Sequence, residues 1–140
     1  MAIRWWQMAP GDNEKTEKIT INLGLVDLGQ IDLLVQEGFY TNRTDFIRMA
    51  IRAHLATRGE ALDQTAARRT LTLGSCYYTR RDLEQIREAG HMIHIRVLGL
   101  ASIATDVSAQ LALDTIASVE VLGAFRAPTA VKAALAARTV

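Results

Sequence analysis

The sequence predicts an α+β fold in two parts, and three observations carry that reading. Residues 18–23 alternate polar and apolar without a break. Two amphipathic helical patterns follow before residue 58, and a strand-like stretch at 95–100 is echoed at 119–124. The expected division is an N-terminal arm over 1–15, a strand-helix-helix domain over 16–58, a linker over 59–70 and a small C-terminal α/β domain over 71–140.

The strand comes first. In Lys18-Ile19-Thr20-Ile21-Asn22-Leu23 the period of two puts Ile19, Ile21 and Leu23 on one face and Lys18, Thr20 and Asn22 on the other. A lone strand leaves its backbone donors and acceptors unpaired, and no second alternating stretch follows nearby. Pairing with its own copy in a second chain solves this. The product is a symmetric two-stranded ribbon with a polar outer face able to bond base edges or phosphates.

Two helices are expected next. Over residues 26–36, Leu28, Ile31, Leu34 and Val35 share one helical face, and Gly38 sits where a left-handed terminating residue is usual. Asn42 is then a good N-cap, with Asp45 three residues on in a capping-box-like position. The second helix is expected over 43–56, burying Phe46, Ile47, Ala50, Ile51, His54 and Leu55 and leaving Arg48 and Arg52 solvated.

Strand, helix, glycine turn and Asn-Arg-Thr-Asp helix start resemble the ribbon-helix-helix family of DNA-binding repressors (the MetJ/Arc/CopG class). The resemblance covers roughly residues 16–58 and rests on 18–23 and on Gly38-Phe-Tyr-Thr-Asn-Arg-Thr-Asp-Phe-Ile-Arg48. It implies an intertwined homodimer whose paired strands enter the major groove of double-stranded DNA. Carried over, Lys18, Thr20 and Asn22 face the bases. The amides opening the second helix at Asn42, Arg43 and Thr44 hold a phosphate. Ile19, Ile21, Leu23, Phe46, Ile47 and Ile51 form the dimer core. Asn42 is first a helix cap, and a phosphate contact would be a further role for it.

Charge adds nothing to this. The chain holds 16 basic and 15 acidic residues, for a net charge of +1. Phosphate neutralisation drives most DNA affinity, so the positive surface must be local, built where two copies of Lys18 and Arg43 converge. Affinity per dimer should then be modest, with tight binding needing several dimers side by side. A single cysteine excludes an internal disulfide and fits a reducing cytoplasm. Residues 1–11 do not read as a signal peptide, and there is no apolar run of membrane-spanning length, so a cytoplasmic place is expected. Trp5 and Trp6 are expected to pack on the dimer or on the second domain.

Residues 60–68 are polar and alanine-rich and should extend the second helix or form a short helical linker. Residues 71–78 have strand composition. Thr79 and Asp82 then have cap-and-acid spacing for a helix with Leu83, Ile86 and Ala89 on its apolar side, ended by Gly90. Beyond it, Ile95-Arg-Val-Leu-Gly-Leu100 and Val119-Glu-Val-Leu-Gly-Ala124 each precede a helix-like segment, at 107–115 and 129–138. This two-fold strand-loop-helix repeat is loosely similar to leucine-rich or other solenoid repeats; the alternative is a chance echo of two βα units in one small sheet. Two units fall short of a self-supporting solenoid, so the half is expected to assemble subunits.

Other chemistry finds little support. No glycine-rich phosphate loop, paired acid and base, or nucleophile with a spaced histidine is present, so no enzyme is expected. Nickel-responsive regulators share the length and an N-terminal ribbon-helix-helix, but Cys76, His91 and His94 lack their ligand order and His54 sits on a helix face, so no metal or other cofactor is expected. The reading is a sequence-specific DNA-binding transcriptional regulator, expected to act as a repressor, whose C-terminal half joins dimers into tetramers or more. Two alternatives stand beside it: an antitoxin with a toxin partner, and a DNA-anchored structural protein that polymerises through its repeat half.

Overall fold

A computed structural model of the protein describes residues 16–140. The arm over 1–15, with Trp5 and Trp6, lies outside the described residues. The chain divides into two compact units: one takes in residues 18–65, the other 66–140 with Thr16 and Glu17.

The first unit is helical. α1 spans Leu25–Gln36 and α2 spans Arg43–Thr57, and α3 runs over Gly59–Arg68 across the unit's boundary. Gly38, at φ +84°, turns the chain between α1 and α2, a conformation that costs glycine nothing. The apolar face expected on α1 holds, with Ile31 buried and Leu28, Leu34 and Val35 half-buried. That of α2 is covered only at its start. Phe46 and Ile47 are half-buried, whereas Ala50, Ile51, His54 and Leu55 are exposed within one chain. The reason is reach: α1 meets the first turns of α2 and nothing in the unit covers the rest. No buried residue lies on α2 or α3.

The second unit is a layered α/β structure. Strand β1 (Thr72–Tyr78), helix α4 (Arg80–Glu88), strand β2 (Ile93–Ile103), helix α5 (Ala109–Thr115), strand β3 (Ile116–Arg126) and helix α6 (Thr129–Leu135) follow in turn, with a 3-10 turn at Ala136–Arg138. The sheet is wholly parallel in the order β1-β2-β3, so each strand lies beside the next in sequence. Its core of Leu83, Ile95, Val97, Ala101, Ile116, Val119, Val131 and Leu135 lies between strands and helices. Thr79 caps α4 reciprocally: its hydroxyl accepts from the Asp82 amide at 3.1 Å and its own amide donates to Asp82 Oδ2 at 3.0 Å. Ser108 caps α5 by accepting from the Leu111 amide at 3.1 Å. Arg138 closes its far end, donating to the carbonyls of Leu113 and Ile116 at 2.7 and 2.8 Å.

The two echoed stretches pair with each other, Ile95 opposite Val119 and Gly99 opposite Gly123. A third strand precedes them, because Leu73 and Gly74 of β1 stand opposite Leu98 and Gly99. Gly74, Gly99 and Gly123 thus form one row across the sheet, all at positive φ (+125°, +141° and +121°). A Cβ on Gly99 would overlap the carbonyl oxygen of Gly74, and one on Gly123 that of Gly99. Glycine is therefore required twice over, by backbone conformation and by close approach. Gly74 has open space on the corresponding side.

This contrast predicts unequal costs. Gly99→Ala meets both strain and overlap and should destabilise the second unit by ~3 kcal/mol or more, whereas Gly74→Ala meets strain alone and should cost ~1–3 kcal/mol. Urea unfolding followed by far-UV dichroism of both variants checks the order.

Candidate nucleic-acid interface

Residues 16–24 form neither helix nor paired strand within one chain. Lys18, Thr20 and Asn22 are exposed, and so are their neighbours: Ile19 at 73%, Ile21 at 59% and Leu23 at 39%. Three apolar side chains left in water on so short a stretch is an unfavourable arrangement for one chain alone.

The second group of expected site residues is better defined. Asn42 Oδ1 accepts from the Asp45 amide at 2.8 Å, so the N-cap is as expected. The reciprocal bond differs: Asp45 Oδ2 accepts from the amide of Thr41, at 3.0 Å, instead of from that of Asn42. The Phe46 amide donates to the Asn42 carbonyl at 3.2 Å. Tyr40 packs edge-on against Phe46, ring centres 4.9 Å apart at 87°, which pins the turn onto the helix start. The amides of Arg43 and Thr44 are left without an acceptor among the described residues. Beside them is a shallow recess of about 320 Å³ lined by Thr41, Asn42, Thr44, Asp45 and Arg48.

Electrostatics divide the labour here. The Arg43 guanidinium forms a two-pronged ion pair with Asp32 of α1, Nε to Oδ1 at 2.7 Å and Nη2 to Oδ2 at 2.8 Å. Its hydrogen bonds, and then its charge, hold the Asp32 carboxyl below its ordinary pKa, and the same pairing raises that of Arg43. Arg43 thereby locks α1 to α2, and its side chain is spent on Asp32. Arg48 lines the recess with no anionic partner among the described residues, while the Asp45 carboxylate opposes an incoming anion. Sequence reasoning left Arg48 as a solvated charge; its spacing of four from Thr44 was the available signal. Asp32 had none, since the clamp exists only once the helices have packed. Within one chain, no hydrogen bond or ion pair among the described residues joins the Lys18–Asn22 group to the Asn42–Thr44 group.

The second unit has its own recess, about 360 Å³, lined by Thr70, Thr72, Cys76, Tyr78, His94, Arg96 and Val97. Its polar groups are spent internally. Arg96 donates to the Thr70 hydroxyl at 2.7 Å, and His94 Nδ1 is 2.7 Å from the Ser118 hydroxyl. Burial, then proximity to Cys76, raises the Tyr78 pKa. His91 precedes β2, so the two histidines do not share a strand. No group of three His, Cys, Asp or Glu side chains suited to a metal gathers among the described residues.

Residues 14–132 match the model of the Ribbon-Helix-Helix transcriptional regulator family. The chain belongs to that family. No curated protein and no solved structure matches it. The match runs from residue 14 into α6 and so takes in all three strands of the sheet. The family makes the chain a DNA-binding regulator of transcription by type. No helix among its described residues is long and apolar enough to cross a membrane.

The clamp has a titration signature. Asp32 titrates below the ordinary carboxylate range, so the ion pair stabilises at neutral pH and is lost only as pH falls through that lowered value. Arg43→Gln should return Asp32 towards its ordinary pKa, read by NMR titration of its side-chain carboxyl; an unmoved value would remove the clamp.

Proposed function

We propose that this regulator reads the major groove with a ribbon made from residues 18–23 of two chains, and represses by occluding a promoter. Lys18, Thr20 and Asn22 contact bases. The free amides at the start of α2, at Arg43 and Thr44 beside the Asn42 cap, hold a backbone phosphate, with Arg48 supplying the charge. Ile19, Ile21, Leu23, Phe46, Ile47 and Ile51 meet their copies in the dimer core. The sheet unit joins dimers along the DNA, and its operation beside DNA puts it in the cytoplasm.

The burial pattern of the first unit supports this most. Its one buried residue is Ile31. Burying a side chain of that size contributes ~1.5–3 kcal/mol, while ordering each backbone residue costs ~1–2 kcal/mol. A single such side chain cannot offset the ordering of residues 18–65. The exposed row of Ile19, Ile21, Leu23, Ile51 and Leu55 is the surface a second chain would cover, so folding and dimerisation are one event. Once the apolar face of 18–23 turns inward, the period of two sends Lys18, Thr20 and Asn22 outward.

The experiment is operator selection. Thr20→Ala with Asn22→Ala should leave a folded dimer whose preference for operator over random DNA falls from ~10³-fold or more towards none. The steep salt dependence should survive, because it comes from phosphates. Gel shifts with competitor DNA at two salt concentrations check both; undiminished specificity would overturn the groove-reading role.

A further inference from the structure

The two edges of the sheet are complementary to one another. β1 carries no charged residue and no proline, and neither do residues 121–125 of β3. Edge strands of globular proteins are ordinarily protected by such residues, because an open edge invites another strand. Here β1 lacks them, and on β3 they stand at Glu120 and Arg126, on either side of 121–125. β1 also presents Leu73, 74% exposed, in line with Leu98 and with Leu122, itself 42% exposed.

The pairing already on β3 has a boundary. Thr139 bridges Val119 in parallel, and the Val140 amide donates to the Val119 carbonyl at 2.9 Å. Beyond it, residues 121–125 have no backbone partner on that side among the described residues. The seven-residue β1 pairs with β2 starting at Val97, whose partner on β3 is Val121. The free part of β3 therefore begins at the register position where a strand of the length of β1 would begin. The glycine row continues the same logic. Gly99 and Gly123 each lie against the carbonyl of the preceding strand's glycine, and Gly74 has the same positive φ with nothing against it.

We propose that a second copy of this chain docks head to tail on the sheet, with its β3 adding in parallel to β1 and its Gly123 carbonyl seated against Gly74. The register places Thr72 opposite Val121 and Ser75 opposite Ala124 of the neighbouring copy. It deepens the assembly role proposed above and rests on it. Such a contact uses two different surfaces, so it propagates into a row or closes into a ring instead of stopping at a pair.

Disulfide trapping tests this on the full chain. With Cys76→Ser removing the native cysteine, Ser75→Cys and Ala124→Cys are introduced together. In-register neighbours across parallel strands have Cα atoms ~4.8 Å apart, within disulfide range. Inside one chain the two positions are separated by β2, roughly 9–10 Å, and cannot bridge. Mild oxidation should give a ladder of covalent oligomers from the double variant and none from either cysteine alone. Adding Leu73→Lys, which charges the edge at an exposed position, should abolish the ladder and reduce the sedimenting species to a dimer. A crosslink from one cysteine alone would mean like edges pairing about a two-fold and would overturn the proposal. So would absence of a ladder, or one that persists with Leu73→Lys. DNA binding by the double-cysteine protein is read separately: its absence with the ladder intact would fault the DNA reading and leave the stacking standing.

Discussion

Burial of apolar surface is what residues 18–65 lack within one chain, and most of the regulator's design follows from that deficit. α1 and α2 touch near the glycine turn, where the Arg43–Asp32 clamp and the Tyr40–Phe46 pair fix their angle of approach. Away from the turn the facing side chains diverge into solvent, and Ile31 alone is buried. In the proposed dimer a second copy would remove the exposed isoleucines from water and give the backbone of residues 18–23 a ladder partner. The polar residues between those isoleucines would thereby be presented together, on the opposite face. On that proposal specificity and stability share a six-residue segment, one set of alternating positions for each.

The sheet unit solves burial differently. Fourteen apolar residues are buried among the described residues, and all but Ile31 belong to this unit's core. Its helices are short, and two of them are held by side-chain caps at Thr79 and Ser108. The constraint is the glycine row, where strands approach more closely than any side chain permits. That row repeats by simple translation from strand to strand, and translation has no natural end. Thr139 covers β3 only at Val119, short of Gly123, and β1 carries no charged residue or proline.

Much of this was legible in the residues because local signals agreed with one another. The caps at Asn42 and Thr79 mark helix starts, Gly38 and Gly90 mark ends, and the alternation at 18–23 separates an apolar from a polar set. Burial on α2 was not legible for one chain, since periodicity names an apolar face without saying which chain covers it. The third repeat was missed for a different reason. Around Gly74 only the Leu-Gly dipeptide matches the other two copies, and Thr72 and Ser75 replace apolar residues. Arg43 was read as a phosphate contact because its position in the chain suits one, but the Asp32 clamp depends on packing at a distance of eleven residues. The recess itself, lined by Thr44 and Arg48, follows from ordinary helix spacing.

Amide hydrogen exchange over residues 18–23 of the full chain tests the paired ribbon most directly. A two-stranded ladder closed about a two-fold makes alternate amides slow and the intervening ones fast. The account predicts that alternation, with protection rising with protein concentration and lost in Ile21→Glu. Exchange of all six at the rate of an unstructured peptide, in a protein that sediments as a dimer, would contradict it.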